Sequence, residues 1–580
     1  MSDIPYKDPR PLARHKWVKK HRKVEPVLLN NTQATQNKPH ARIRELSVDA
    51  GIETYNGEWS ETQASHLLRR TLFGIKKEEL RHFSNLTLSQ AVKELLKDSP
   101  KPEPPVNNYN DLSADIEDPH VAEGETWVEA PYSNQNEANR IISLKSWVIN
   151  NFLTQEATIH EKMILFWHNL LVTQSWDVFV SKTSYQYFEM LREHALGNYK
   201  AMIKALTLDP AMLLFLNGTL NHKDAPDENY ARELQELFCI GKGPNSKYTE
   251  RDVQLAAKIL TGWVINWDDD IMKEGRAGTY FFPPIHDTSD KEFSEFYGNR
   301  VIEGRSGERG KEELDELLDM IFDNEETAYY ICRRIYTFFV YGEIDANTEE
   351  RVIKPLAKIF RESNYEIKPV LEALFQSEHF FHPLNQGAQV KNPTDLLLAA
   401  WRTFEMPTEL DDSSKTTQLH ISMLWQMANM GMEIGDPPSV AGWPAYYQAP
   451  QFDRSWITTD TITNRAAITD SMIFWGFWVN QQVQVNIDFL TFLKALDKPD
   501  DPNELLKEVS TLLFGYPVSE ATLQSLKGIL LSGQQTDGYW TNAWTLYRKA
   551  PDNEEYKLAV ENRLKSTFQR LLQLAENQLI

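Results

Sequence analysis

Three stretches decide the fold: ANRIISLKSWVINNFL (138–153), HEKMILFWHNLLV (160–172) and YFEMLREHALGNYKAMIKALTL (187–208). In each, apolar residues return at three- and four-residue spacing, which at about 100° per residue lines them along one side of an α-helix. The pattern runs almost unbroken from Asn139 to Gly262. Outward from it the same period recurs. In SETQASHLLRRTLFGI (60–75), Ser60 suits an N-cap, Leu67, Leu68, Leu72 and Phe73 keep helical spacing, and Gly74 suits a stop. A second helix is expected over Leu88–Leu96. Helical runs resume in ELDELLDMIF (313–322) and AYYICRRIYTFFVY (328–341), and the last is ENRLKSTFQRLLQLAEN (561–577).

Two segments lack the period. Residues 99–139 carry PKPEPP and NNYND, turn after turn, and so long an irregular connection is expected to wrap the body or to act as a lid. Residues 264–310 are rich in Gly, Pro, Asp and aromatics, with a small β-hairpin expected near Thr279–Phe282. No self-similarity at 34 or 40 residues indicates a helical repeat array. The predicted fold is mainly α: a polar basic arm over 1–56, then one large multi-helix domain over 57–580, with 481–580 as its C-terminal helical part.

Bulk properties narrow the function classes. The 580 residues are 41% hydrophobic and 25% charged, values of a folded globular chain. A formal charge of −22 opposes general nucleic-acid binding. The basic run Lys7–Lys23 is read as a solvated tail. Cys239 and Cys332 are the only cysteines; they provide no disulfide framework and no cysteine zinc site, and both read as small buried hydrophobes. No stretch approaches the roughly 18 apolar residues of a membrane span, and no apolar run follows the basic N-terminus, so a cytoplasmic protein is expected.

The chemistry is sought first in DENYARELQELFCIG (227–241). Asp224 or Asp227 would cap this helix, and Tyr230, Leu234, Leu237 and Phe238 form its apolar stripe. On an ideal helix Asn229, Glu233 and Glu236 share the adjacent flank within roughly 60°, with Arg232 placed to pair with Glu236. Two carboxylates and an amide on one edge suit a divalent metal, a sugar or a general acid/base pair; they suit a solvated flank equally. His168, inside MILFWHNLLV, reads either as a hydrogen-bonded core histidine or as a ligand. With His286 and Asp287 from the aperiodic segment, His168, Glu233 and Glu236 contain the ligand types of a mixed metal site, without any established spacing signature.

Basic residues form a second group: His66, Arg69, Arg70, Arg232, Arg333, Arg334, Lys391, Arg454 and Arg465. Several interrupt apolar faces, where they either pair with buried-edge carboxylates or receive an anionic ligand. IGDPPSVAGWP (434–444) reads as a stiff, shaped loop, and Trp443 and Trp456 would offer a stacking wall or plug the end of a bundle.

An ordered set of these segments resembles the bacterial family catalogued as domain of unknown function eighteen hundred. It comprises HLLRRTLFG (66–74), LFWHNLLVT (165–173), LREHALGNYKAMIKALTLDPAMLLFLNG (191–218), DENYARELQELFCIGKG (227–243) and YTERDVQLAAKILTGW (248–263). It continues through His286–Asp287, RRIYTFFV (333–340), VKNPTDLL (390–397), DPPSVAGWP (436–444) and FGYPVSEATLQSLKGILL (514–531). The resemblance implies a largely helical fold and assigns no reaction. This chain has FWHNLL where the family pattern is FWHNHF, and Asp227 where it begins NENxARE. Two functional expectations follow. One is a hydrolase-like enzyme acting on a polar substrate such as a glycan, with Glu233, Glu236, His168 and Arg232 in the chemistry. The other is a non-catalytic helical scaffold or partner-binding protein.

Overall fold

The computed structural model describes residues 47–110, 117–480 and 483–580. The basic run at 7–23 and most of the expected arm lie outside these residues. Helices supply nearly all the regular structure, and among the described residues the strands form three two-stranded antiparallel sheets of two residues each. The mainly α reading therefore holds.

The helix His160–Leu170 is buried at every residue. Its apolar middle places it inside the body, and its charged end is buried only because Glu161 pairs with Arg192 and Lys162 with Asp395. It packs on Ser181–His194 and Glu137–Thr154, and the latter lies against Ser413–Asn429. Buried apolar side chains from Ala64 to Leu572 form one contiguous cluster. Local signals start the helices, at Ser60 where the sequence placed one and at two further caps. Ser60 precedes Glu61–Thr71, Asp209 caps Pro210–Phe215 by accepting from the Met212 N–H at 3.0 Å, and Asn392 caps Pro393–Thr403. Proline at the first helical position of the last two costs nothing, because its missing N–H would have no partner there.

Gly74 ends its stretch at φ +90°, and a Cβ there would stand 2.5 Å from the Ala399 Cα. Both the backbone sign and the space demand glycine. Gly74→Ala is expected to lower the denaturant midpoint, by about 1–3 kcal/mol of stability or more, in a guanidinium titration followed by circular dichroism.

The two irregular segments behave differently from each other. Of residues 99–139, those described wrap: Tyr109 and Trp127 are fully buried in the core, and Asp118 forms a buried ion pair with Arg140. In 264–310 the expected hairpin is corrected in its pairing. Tyr280–Phe281 forms a strand but joins Trp263–Val264 across the intervening loop, Trp263 opposite Phe281. A second pair, Lys291–Glu292 with Val301–Ile302, follows. Both pairs are too short to leave a periodic signature. Of the C-terminal part, residues 578–580 return to the body: Gln578 O accepts from the Lys391 N–H and the Ile580 N–H donates to Gln389 O, both at 2.8 Å.

Candidate functional site

Asp227 caps the 228–239 helix by accepting from the Asn229 N–H at 2.8 Å. The helix is α over Glu228–Glu233 and then widens to a π-helix over Leu234–Cys239. The widening inserts a residue into the turn and re-phases every side chain beyond it. Gln235 swings into the core, where its carbonyl accepts from the Tyr297 hydroxyl at 2.8 Å. Glu236 becomes buried and pairs with Lys242. Arg232, expected beside Glu236, instead grips both Glu250 oxygens at 2.9 and 2.7 Å and Glu228 at 3.0 Å. Glu233 stays half-buried, and burial raises its pKa.

His168 sits at 1% exposure in the centre of the body. Tyr187 donates its hydroxyl proton to Leu171 O at 2.6 Å, so the His168 Nδ1, 3.1 Å from the Tyr187 hydroxyl oxygen, must donate to that oxygen. Nε2 is then a bare lone pair, buried without a partner, against the rings of Phe188 and Trp443. Burial, with help from the Lys145 charge, lowers the imidazole pKa to about 3 and keeps it neutral. Asn169 holds the proline loop by accepting from the Trp443 N–H at 3.0 Å. That loop is a plug against the His168 helix, and Trp443 is buried rather than a stacking wall.

His286 is enclosed elsewhere. Its Nδ1 lies 2.9 Å from Thr261 O, and its Nε2 lies 3.2 Å from Glu313. Glu313 also accepts from Lys291 at 2.7 Å. Asp287 caps Ser289 and faces Lys258 and Lys291. The six residues singled out from sequence thus occupy three settings, and among the described residues no hydrogen bond or ion pair links one setting to another. Among the described residues no group of three or more His, Cys, Asp or Glu side chains comes together as metal ligands. Cys239 and Cys332 are buried free thiols, as expected.

A different place combines access with perturbed titration. A cleft of about 620 Å3 opens beside Ser181–His194, with the start of the wrapping segment on one side and Arg276 on the other. Glu189 ties the two irregular segments together: Lys101 approaches one carboxylate oxygen at 2.5 Å and Arg276 the other at 2.8 Å. Its Oε1 also accepts from the Tyr185 hydroxyl at 3.1 Å. Burial works to raise the Glu189 pKa, but Lys101 and Arg276 outweigh it and hold the carboxyl below its ordinary value. Asp209 lines the same cleft and has no cation on it. Burial raises its pKa to about 7, against the opposing pull of the Met212 and Ala211 N–H groups. Arg192, clamped by Glu161 at 2.5 and 2.9 Å, and His160 complete the polar floor. Asp436 is also raised to about 7, again chiefly by burial, but it is closed on Lys145 at 2.6 Å and on the Trp176 N–H.

The sequence reading passed over Asp209, which lies unremarked within LTLDPAM. What perturbs it is burial by distant chain, which no local pattern records.

The fold and cleft define a large α-helical protein with a polar cleft braced by two irregular segments. The chain belongs to the family described as "Protein of unknown function (DUF1800)", whose model matches residues 66–567. No curated protein and no solved structure matches it. Among the described residues no helix is long and apolar enough to cross a membrane.

Proposed function

We propose that the protein is a hydrolase-type enzyme acting on a polar substrate of the glycan class, with proton transfer at Asp209. One observation carries the reading: two carboxyls in one solvent-reachable cleft have their pKa values pushed apart, Asp209 up to about 7 and Glu189 down. Such a divergence separates an acid from an ionised partner near neutral pH. Asp209 gives its proton to the leaving oxygen as the bond breaks. Water supplies the hydroxyl to the other fragment, and its second proton returns to Asp209. Glu189 stays negative and stabilises positive charge that develops on the sugar ring, while Lys101, Gln186 and Arg276 offer hydrogen bonds to substrate hydroxyls.

A second reading keeps the acid/base pair at Glu233 and Glu236, with Arg232 as clamp. Its support is the raised pKa of Glu233, a half-buried carboxyl at the end of the α-helical part, just before the π-helical turn. Two variants separate the readings on a panel of glycans and esters. Asp209→Asn is expected to lose hydrolysis and Glu233→Gln to retain wild-type turnover. The reverse result moves the chemistry to the 228–239 helix. A wild-type protein inert on the whole panel, yet retaining a glycan on a column, returns the non-catalytic binding alternative.

A further inference from the structure

Ser146 and His420 meet between two long helices. Ser146 lies in the middle of Glu137–Thr154, and His420 lies on Ser413–Asn429, which packs against it. The His420 Nε2 is 3.2 Å from Thr408 O; a carbonyl only accepts, so Nε2 carries the ring proton. Nδ1 is then a lone pair, and the Ser146 hydroxyl, 3.1 Å away, donates to it. Burial lowers the imidazole pKa to about 4, so the ring is neutral at pH 7 and able to take a proton. A serine donating to a neutral imidazole, with the imidazole fixed from behind, is the arrangement of an activated nucleophile.

The pair is buried, yet both residues line a cleft of about 490 Å3 between the start of the wrapping segment and the Ser413–Asn429 helix. Asn150 lines it too, one helical turn beyond Ser146, and its side-chain amide offers a donor to an oxyanion formed at the serine. The charge in the cleft is of one sign. Glu103, Glu409, Asp411 and Asp412 line it, with no lysine or arginine. Asp411 pairs with Lys415 at 3.1 Å, and among the described residues no ion pair reaches Glu103, Glu409 or Asp412.

We propose that Ser146 and His420 form a second catalytic site, a serine esterase for carboxylic esters that carry a cationic group. Ser146 Oγ bonds to the ester carbonyl carbon while its proton passes to His420 Nδ1. The carbonyl oxygen takes up the negative charge beside Asn150. The bond from that carbon to the alcohol oxygen then breaks, and the alcohol leaves with the proton from Nδ1. Water reverses the sequence on the acyl-serine: one proton goes to Nδ1, the hydroxyl bonds to the carbon, and Ser146 recovers the proton as the acid departs. The surrounding carboxylates attract a cationic ester and repel an anionic one. This cleft shares no lining residue with the Asp209 cleft, and the proposal does not rest on glycan hydrolysis there.

The test treats the full chain with three fluorophosphonates, one bearing a quaternary ammonium, one neutral and one bearing a carboxylate, and maps adducts by peptide mass spectrometry. Ser146 is expected to be phosphonylated, fastest by the cationic probe and slowest by the anionic one at low salt. Ser146→Ala should lose hydrolysis of a choline ester, and His420→Gln should slow labelling and hydrolysis by about 10²–10⁴-fold. A serine that only completes a hydrogen bond between helices does not react with these probes. The wild-type map needs no variant to fold: no adduct on Ser146, or adducts only on other serines, overturns the proposal. Equal labelling rates with all three probes overturn the cationic ester as its substrate.

Discussion

Asp209→Asn is expected to reduce hydrolysis by about 10²–10⁴-fold, the usual worth of a positioned general acid. Wild-type activity should fall as pH rises through about 7, because the acid must carry its proton and Asp209 loses it there. The variant also has a readout that needs no substrate. The folded-state pKa of Asp209 lies above its ordinary 3.8, so the native state binds this proton more tightly than the unfolded chain does. Its contribution to stability is therefore fully present below about pH 4 and is lost as pH rises to about 7, a loss of roughly 3–4 kcal/mol at most. Asparagine keeps an oxygen for the Met212 N–H and has no proton to lose. Denaturant titrations should find Asp209→Asn more stable than wild type at pH 8, with the advantage gone at pH 4. Equal stability of the two proteins at both pH values would mean that Asp209 titrates normally and is no acid at neutrality.

The contrast with the 228–239 helix shows where sequence reasoning reaches and where it stops. Tyr230, Leu234 and Phe238 are buried as the helical period required, because burying an apolar stripe needs only local geometry and a neighbour. The polar flank failed for a physical reason. One π-helical turn, invisible in the pattern, moved Glu236 away from Arg232 and onto Lys242. The basic residues divided along similar lines. Arg333 closes on Glu326 and Glu349 at 2.5 and 2.6 Å, the structural pairing that the sequence favoured. Arg69 and Arg70, from one helix, and Arg465, from another, look alike in sequence but donate to neutral partners instead. Asp209 and Glu189 escaped notice because a titration shift is set by what buries or faces a carboxyl; for Glu189 the facing groups arrive from residues 101 and 276, and for Asp209 it is burial alone.

The wrapping segment yields the largest expected loss of stability. Asp118 receives Arg140 through Nε at 2.8 Å and Nη2 at 3.0 Å, with the Tyr109 hydroxyl donating to the same carboxylate at 2.8 Å. Both side chains are almost wholly removed from solvent. Glu137 supports the guanidinium at 3.2 Å but also accepts from the Ser181 N–H, so it cannot replace a second bidentate partner. Asp118→Ala leaves a buried cation short of a counter-charge and a buried tyrosine hydroxyl short of an acceptor. The expected cost is about 3–5 kcal/mol in urea unfolding. Arg140→Met alone should also destabilise, by stranding Asp118. The double variant Asp118→Leu with Arg140→Met should recover much of the loss, because a matched apolar pair strands no charge. Lys101 belongs to the same segment and reaches Glu189 in the cleft. Asp118→Ala is therefore expected to weaken substrate binding as well as the fold, since a wrap loosened at residue 118 no longer holds Lys101 on that carboxylate.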